Sequence, residues 1–205
     1  MINAAKIKEL LQQPLPGKFS HQKMLPTGRK LSADVNDLKG AKHSGVMMLL
    51  FYIDNNLHVL LIKRPSHMKH HAGQVAMPGG RVEPGETSLE SALRETWEEI
   101  GIKADAIKIL GVLSDLYVEV SRFLIHPHVG LIENADTVQI NKQEVEKLIA
   151  FPFNKIKQGI DESEIETITG KLKVPCYKYD NEIIWGATSM ILTEFFDVIQ
   201  QAIDQ

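Results

Sequence analysis

The stretch that decides the fold runs from Gly80 to Ile102: Gly-Arg-Val-Glu-Pro-Gly-Glu-Thr-Ser-Leu-Glu-Ser-Ala-Leu-Arg-Glu-Thr-Trp-Glu-Glu-Ile-Gly-Ile. Pro84-Gly85 marks a tight turn. Thr87 followed three residues later by Glu90 makes a capping box, which predicts a helix starting near Ser88. Gly101 lets the chain leave it. At roughly 100° per residue, Leu89, Ala92, Leu93, Thr96, Trp97 and Ile100 share one arc, expected to pack on a sheet. Glu95, Glu98 and Glu99 share a separate arc. Like charges at these spacings weaken a helix by roughly a few tenths of a kcal/mol per pair, so such a cluster calls for a cation. Hard divalent ions, Mg²⁺ or Mn²⁺, take oxygen ligands of this kind. A backbone carbonyl of Gly79 or Gly80 could add one more, because glycine permits close approach. Taken as a bare Glu-x-x-Glu-Glu, the cluster would equally suit a solvated acidic helix face.

Working back towards the N-terminus, residues 64–80 form a long loop, and loops of that length in a compact domain are usually functional. It concentrates Arg64, Lys69, His70 and His71 just before the acidic helix. Before it, Gly45–Ile53 and Leu57–Lys63 are apolar runs separated by Asp54-Asn55-Asn56, a hairpin signal. Residues 18–44 read as an irregular basic arm, with Arg29 a candidate to reach the substrate. Ala4–Gln12 reads as a short amphipathic helix stopped by Pro14.

Working forward, Ile107–Val118 and Phe123–Ile132 read as strands. Gln143–Ala150 reads as a short helix or an acidic loop. Ile165–Thr169 and Leu172–Tyr179 form a hairpin turned near Gly170, and Trp185–Ala202 is a terminal helix. Strands and helices are mixed rather than strictly alternating, so the expected class is α+β or a mixed α/β sandwich. The expected organisation is a helix and arm over residues 1–43 leading into one domain over residues 44–205.

The 205 residues carry a net charge of −3, so nothing attracts nucleic acid or anionic membrane in bulk. An anionic small molecule must instead be held by local cations or metal. The longest apolar run, Val46–Ile53, is too short to span a bilayer. The N-terminus lacks a signal-peptide core and the single cysteine, Cys176, rules out an intramolecular disulfide. A cytoplasmic protein is therefore expected. Cys176 reads as a plain, partly buried thiol. A zinc site in the histidine loop lacks a nearby cysteine and a fourth ligand. The sequence leaves the oligomeric state open, a homodimer included.

Gly80, Glu86, Arg94, Glu95, Glu98, Glu99 and Gly101, with Ile102, match the pattern Gly-x5-Glu-x7-Arg-Glu-U-x-Glu-Glu-x-Gly-U, where U is a bulky aliphatic residue. All seven fixed positions agree. At about one in twenty per position, chance agreement is on the order of 10⁻⁹ per start site. The departure is Thr96 at the first U, which bears on packing. The chain thus resembles the Nudix hydrolases. That resemblance implies an α/β/α sandwich with a mixed sheet, and hydrolysis of nucleoside diphosphates linked to another moiety. It implies Glu95, Glu98 and Glu99 as ligands of Mg²⁺ or Mn²⁺, and Arg94 as the residue that orients them, paired with Glu86. One of the glutamates, or a carboxylate from a later loop, would activate the attacking water. Glu144 is the candidate in that loop.

Further segments resemble the coenzyme A diphosphatase branch: Leu15-Pro16-Gly17, Met24-Leu25-Pro26 and Arg29; Lys63–Val75 running into Pro78-Gly79-Gly80; and Ile184-Trp185-Gly186-Ala187-Thr188. Around Glu83 and Glu86 the chain has the generic form rather than the aspartates expected of that branch. The implied substrate is coenzyme A or an acyl derivative, and the implied products are adenosine 3′,5′-bisphosphate and a phosphopantetheine. Arg64, Lys69, His70, His71 and Arg29 are the implied substrate contacts. ADP-ribose or another nucleoside diphosphate derivative is the competing substrate. A non-catalytic ligand sensor on this fold should have lost box carboxylates, and none is lost.

Overall fold

The computed structural model describes residues 2–29, 31, 35–68, 71–133, 135, 138–167 and 170–200. In chain order the elements are helices α1 (Ala4–Leu10), α2 (Lys18–His21) and α3 (Val35–Lys39), strands β1 (Lys42–Ile53), β2 (Asn56–Lys63), β3 (Val75–Ala76) and β4 (Gly79–Arg81), and helix α4 (Ser88–Ile100). There follow β5 (Lys108–Val112), β6 (Leu116–Val118), β7 (Phe123–Leu131), β8 (Lys147–Pro152), β9 (Asp161–Thr167), β10 (Gly170–Tyr179), β11 (Glu182–Trp185) and α5 (Gly186–Gln200).

Eight of these strands make one mixed sheet with the path β3-β2-β1-β7-β5; β4 joins β1, β6 joins β7 and β8 joins β2. β1 and β7 run parallel, while the other pairings are antiparallel. β9, β10 and β11 form a separate three-stranded antiparallel sheet. β1 is covered on both sides, which is why it reads as a continuous apolar run. Its side chains alternate between two cores, as the period of two requires. Met48 and Leu50 face a core shared with Leu192, Phe195 and Ile199 of α5. Met47, Leu49 and Phe51 face another, shared with Ala92 and Ile100 of α4. The molecule is an α/β/α sandwich with a mixed sheet, as expected. Among the described residues no helix is long and apolar enough to cross a membrane.

Several local expectations are corrected. Residues 18–44 are not irregular: they contain α2, a 3₁₀ turn over Gln22–Met24, and α3. Ser20, His21 and Met24 are buried there. The ordering force is α5. Its buried Glu194 accepts from the Gly17 amide (3.1 Å) and pairs with His21 (2.9 Å), and its Asp197 accepts from Ser20 Oγ and Lys23. The strand expected over Ile107–Val118 is broken into β5 and β6, because the Ser114 amide leaves the ladder to donate to Glu194 at 3.2 Å. No helix forms within Gln143–Ala150. A turn precedes Val145, and Lys147–Pro152 pairs antiparallel with β2, covering an edge that would otherwise expose its backbone groups. The loop over residues 64–80 holds the short strands β3 and β4.

The helix α4 itself begins and ends where its caps place it. Thr87 Oγ1 accepts from the Glu90 amide, and Glu90 accepts from the Thr87 amide. Gly101 closes it in the left-handed conformation. Its rotation differs from the expected arc, however. Trp97 is 55% exposed, whereas Glu99 is buried with Ala92, Thr96 and Ile100. The helix is turned so that a carboxylate, not the indole, enters the interior. Thr96 fits there because its hydroxyl donates to the Ala92 carbonyl at 2.6 Å. The helix also crosses β1 at Gly45, where any Cβ would overlap the Ser88 carbonyl.

Candidate active site

The acidic face of α4 meets the glycines of β4. Gly80 pairs with Gly45, and a Cβ on Gly80 would occupy the space of the Glu95 carboxylate. The glycine is therefore what lets Glu95 lie against the sheet. Ser91 Oγ donates to the carbonyls of Gly80 (3.3 Å) and Arg81 (3.1 Å), which fixes β4 to the helix.

Arg94 organises the carboxylates around it. Its guanidinium is bidentate to Glu86, with Nε to Oε1 at 2.9 Å and the second bond at 3.1 Å. Such forked pairs combine charge with fixed geometry. The remaining amino group donates to Glu95 (2.8 Å) and Glu98 (3.2 Å). Arg94 holds the Glu86 carboxyl below the usual range, aided by the Glu83 amide. In return Glu86 and Glu95 hold Arg94 firmly protonated.

Glu99 is 1% exposed. Its two oxygens accept from the Gly79 amide (3.1 Å) and from Arg64 (3.3 Å). Burial nevertheless pushes its carboxyl up to about 8, because removal from water penalises the charged form. Burial raises the Glu95 carboxyl too, against the pull of Arg94. Glu144, on the turn before β8, meets them: oxygens of Glu95, Glu99 and Glu144 lie within 4.8 Å of one another. The turn is tied in place by two bonds. The Asn141 amide donates to the Glu99 carbonyl at 2.9 Å, and Asn141 Nδ2 donates to Glu144 at 3.2 Å.

The structure thus brings together Glu86, Arg94, Glu95, Glu98, Glu99, Glu144, Gly80 and Arg64. Glu98 differs from its companions, being 43% exposed and held through Arg94 at one oxygen. Among the other candidates, His71 lies exposed in the loop with its Nδ1 on Gln74 at 2.8 Å. Arg29 lies exposed in the turn after Pro26. Among the described residues no hydrogen bond or ion pair joins either to the carboxylates. Lys69 and His70 lie outside the described residues. Sequence reasoning missed the Gly79 amide and Asn141 as groups that hold the carboxylates, and Ser91 as the group that holds β4 to the helix. Of these only Gly79, beside the first box glycine, carried a signal.

A family model described as NUDIX domain matches residues 41–169. A protein of Yersinia enterocolitica named uncharacterized Nudix hydrolase NudL is 32% identical over 185 residues, covering 89% of this chain and 85% of its own. Nudix hydrolase 3 of Caenorhabditis elegans is 29% identical over 176 residues, covering 77% of this chain and 73% of its own. Among solved structures, the MutT protein from Methanosarcina mazei Go1 matches with a TM-score of 0.54 and 19% identity, over 78% of this chain and 96% of that one. This last likeness is one of fold.

Proposed function

The chain belongs to the Nudix family and is a hydrolase of diphosphate bonds; from that premise we propose that the bond it cleaves is the bridge of coenzyme A or an acyl derivative. The products would be adenosine 3′,5′-bisphosphate and a phosphopantetheine. The proposed setting is the cytoplasm, in keeping with a single buried thiol.

The donor set fits a hard divalent cation. Three carboxylates converge within 4.8 Å, two of them carrying a raised proton affinity through burial. Glu95, Glu99 and Glu144 would hold Mg²⁺ or Mn²⁺, with Glu98 and the Gly80 carbonyl beside them. When bound, such a cation offsets phosphoryl charge and acidifies water. The chain's own residues do the rest. Glu86 fixes Arg94, and Arg94 fixes Glu95 and Glu98. The Gly79 amide and Arg64 fix Glu99. Glu98, the most open of the box carboxylates, is assigned the proton of the attacking water. Arg64, with Lys69, His70, His71 and Arg29, is assigned to the phosphates of the substrate.

The coenzyme A reading is supported by how its three marker segments interlock. The Gly17 amide donates to Glu194 of α5. Thr188, at the start of α5, donates to the Val75 carbonyl of β3 at 3.1 Å. Lys63, opening the basic loop, pairs with Glu182 of β11 at 3.0 Å. The segments outside the box therefore frame the loop that feeds it. Initial rates with coenzyme A, acetyl-coenzyme A, dephospho-coenzyme A and ADP-ribose, in Mg²⁺ and in Mn²⁺, test the reading. Coenzyme A should lead, and removal of its 3′-phosphate should slow turnover. Hydrolysis of ADP-ribose with coenzyme A untouched would overturn the substrate but not the chemistry.

A further inference from the structure

Strand β2 ends at Lys63, where β3 lies on one side and β8 on the other: Lys63 pairs with Val75 and with Lys147. Lys63 and Lys147 are therefore direct cross-strand neighbours of like charge, an arrangement that pushes strands apart. A carboxylate from the second sheet sits between them. Glu182 Oε1 lies 3.0 Å from Lys63 Nζ and 3.0 Å from Lys147 Nζ, with its side chain 13% exposed. We propose that Glu182 is a positioning residue for the active site, acting through Lys63 and Lys147 to hold Glu144 and Arg64 in place. The proposal rests on the assignment of Glu144 to the cation and Arg64 to the phosphates made above.

The path from Glu182 to the site is short. Lys63 is followed at once by Arg64, whose guanidinium meets Glu99 at 3.3 Å. The Arg64 backbone closes the basic loop, its amide donating to the Gln74 carbonyl at 3.0 Å and its carbonyl accepting from the Gly73 amide at 3.1 Å. On the other strand, the Glu146 amide donates to the Lys63 carbonyl at 2.8 Å, and Lys63 Nζ reaches the Glu146 carboxylate at 3.2 Å. Glu144, two residues before Glu146, thus sits between two anchors. One is Asn141, bonded back to the Glu99 carbonyl of α4. The other is Glu146, and it holds only while the end of the β2–β8 ladder stays closed. Local opening concentrates where little holds the backbone, and two facing cations make this end one that needs a counter-charge.

The fold delivers Glu182 to this point through a tight turn. Asp180 and Asn181 both have positive φ, 52° and 59°, the two-residue turn whose twist matches paired strands, and Tyr179 pairs with Glu182 across it. Asp180 also bonds Lys147, at 2.9 Å, but it is exposed, and among the described residues Lys147 is its one ion-pair partner. Hydrogen bonds from Glu182 and then Glu146 raise the Lys63 ammonium above its ordinary range, and those from Asp180 and then Glu182 do the same for Lys147. Both lysines are charged at neutral pH, so loss of the Glu182 charge leaves two ammonium groups facing each other. Both are also partly open to water, which screens the repulsion and keeps the effect modest.

The test joins Mn²⁺ binding, followed by electron paramagnetic resonance, to steady-state kinetics on the full chain. Glu182→Gln should weaken Mn²⁺ binding by about tenfold, the lower end of the range for groups that hold a metal ligand in place. At saturating Mg²⁺ it should raise KM rather than lower kcat, with circular dichroism unchanged. Adding Lys147→Gln to Glu182→Gln removes one of the facing cations and should restore both Mn²⁺ affinity and KM, although it removes further ion pairs. A network that only stabilised the fold would instead be weakened again. Asp180→Asn should bind Mn²⁺ as the wild type does. Wild-type Mn²⁺ affinity in Glu182→Gln, where Glu144→Gln loses it, would overturn the positioning role and leave the site reading standing. A double variant no better than Glu182→Gln, or an Asp180→Asn protein as impaired as Glu182→Gln, would overturn it too. Wild-type Mn²⁺ affinity in Glu144→Gln itself would remove the site reading and this proposal together.

Discussion

Replacing Glu99 by glutamine should stabilise the metal-free protein while stopping turnover. The carboxyl is 1% exposed, and burial lifts its pKa from 4.5 to about 8. The folded state therefore holds this proton more tightly than the unfolded chain does. The stabilising contribution is complete below pH 4.5 and is lost as pH rises towards 8. At pH 7 the unfolded chain has already released the proton, which lowers folding stability by about 3 kcal/mol relative to the protonated limit. Glutamine escapes that loss. It keeps an acceptor for the Gly79 amide but turns its NH₂ group towards Arg64, so the net gain falls to about 2 kcal/mol at pH 7. Urea unfolding of both proteins in EDTA at pH 5, 7 and 8 measures it. The advantage of Glu99→Gln should be small at pH 5 and grow towards pH 8, and saturating Mg²⁺ should restore the wild-type protein. A difference that does not grow with pH, or a variant less stable at pH 8, would refute the burial argument.

Four further substitutions separate the site from the fold that carries it. Arg94→Lys keeps the charge but loses the fork to Glu86, and should lower kcat by about 10–100-fold with little change in thermal midpoint; steady-state kinetics decide it. Gly80→Ala places a methyl group in the space of the Glu95 carboxylate, so activity should fall while the fold persists. Gly45→Ala instead meets the Ser88 backbone, and urea unfolding should show a loss of about 1–3 kcal/mol. Glu194→Ala strips the acceptor from His21, Gly17 and Ser114 in a buried setting, and each donor left unpaired should cost about 1–3 kcal/mol by the same assay.

The box was legible because its chemistry is local. Thr87, Glu90 and Gly101 cap a helix by contacts within one turn, and spacing alone groups Glu95, Glu98 and Glu99. What spacing could not supply was the helix's rotation. Trp97 looked like core and Glu99 like surface, because apolar periodicity assumes that the interior takes the most apolar arc. At this site the interior takes a carboxylate, and the donors that tolerate it, the Gly79 amide and Arg64, come from another part of the chain. The same holds for the arm. Lys18–Ser44 shows little periodicity of its own, and its first turn, Ser20 to Lys23, is held by Glu194 and Asp197, residues more than 170 positions away. Glu144 had only its place in a late acidic loop to mark it, and its approach to Glu95 and Glu99 depends on Asn141 bonding back to α4.

Glu95, Glu99 and Glu144 should bind one divalent cation together. Electron paramagnetic resonance of free Mn²⁺, titrated into the chelator-treated wild type and into Glu95→Gln, Glu99→Gln and Glu144→Gln, tests that directly. The wild type should take up Mn²⁺, and each of the three substitutions should weaken that uptake by at least about tenfold, Glu144→Gln included. Wild-type Mn²⁺ affinity in Glu144→Gln and Glu99→Gln would contradict it.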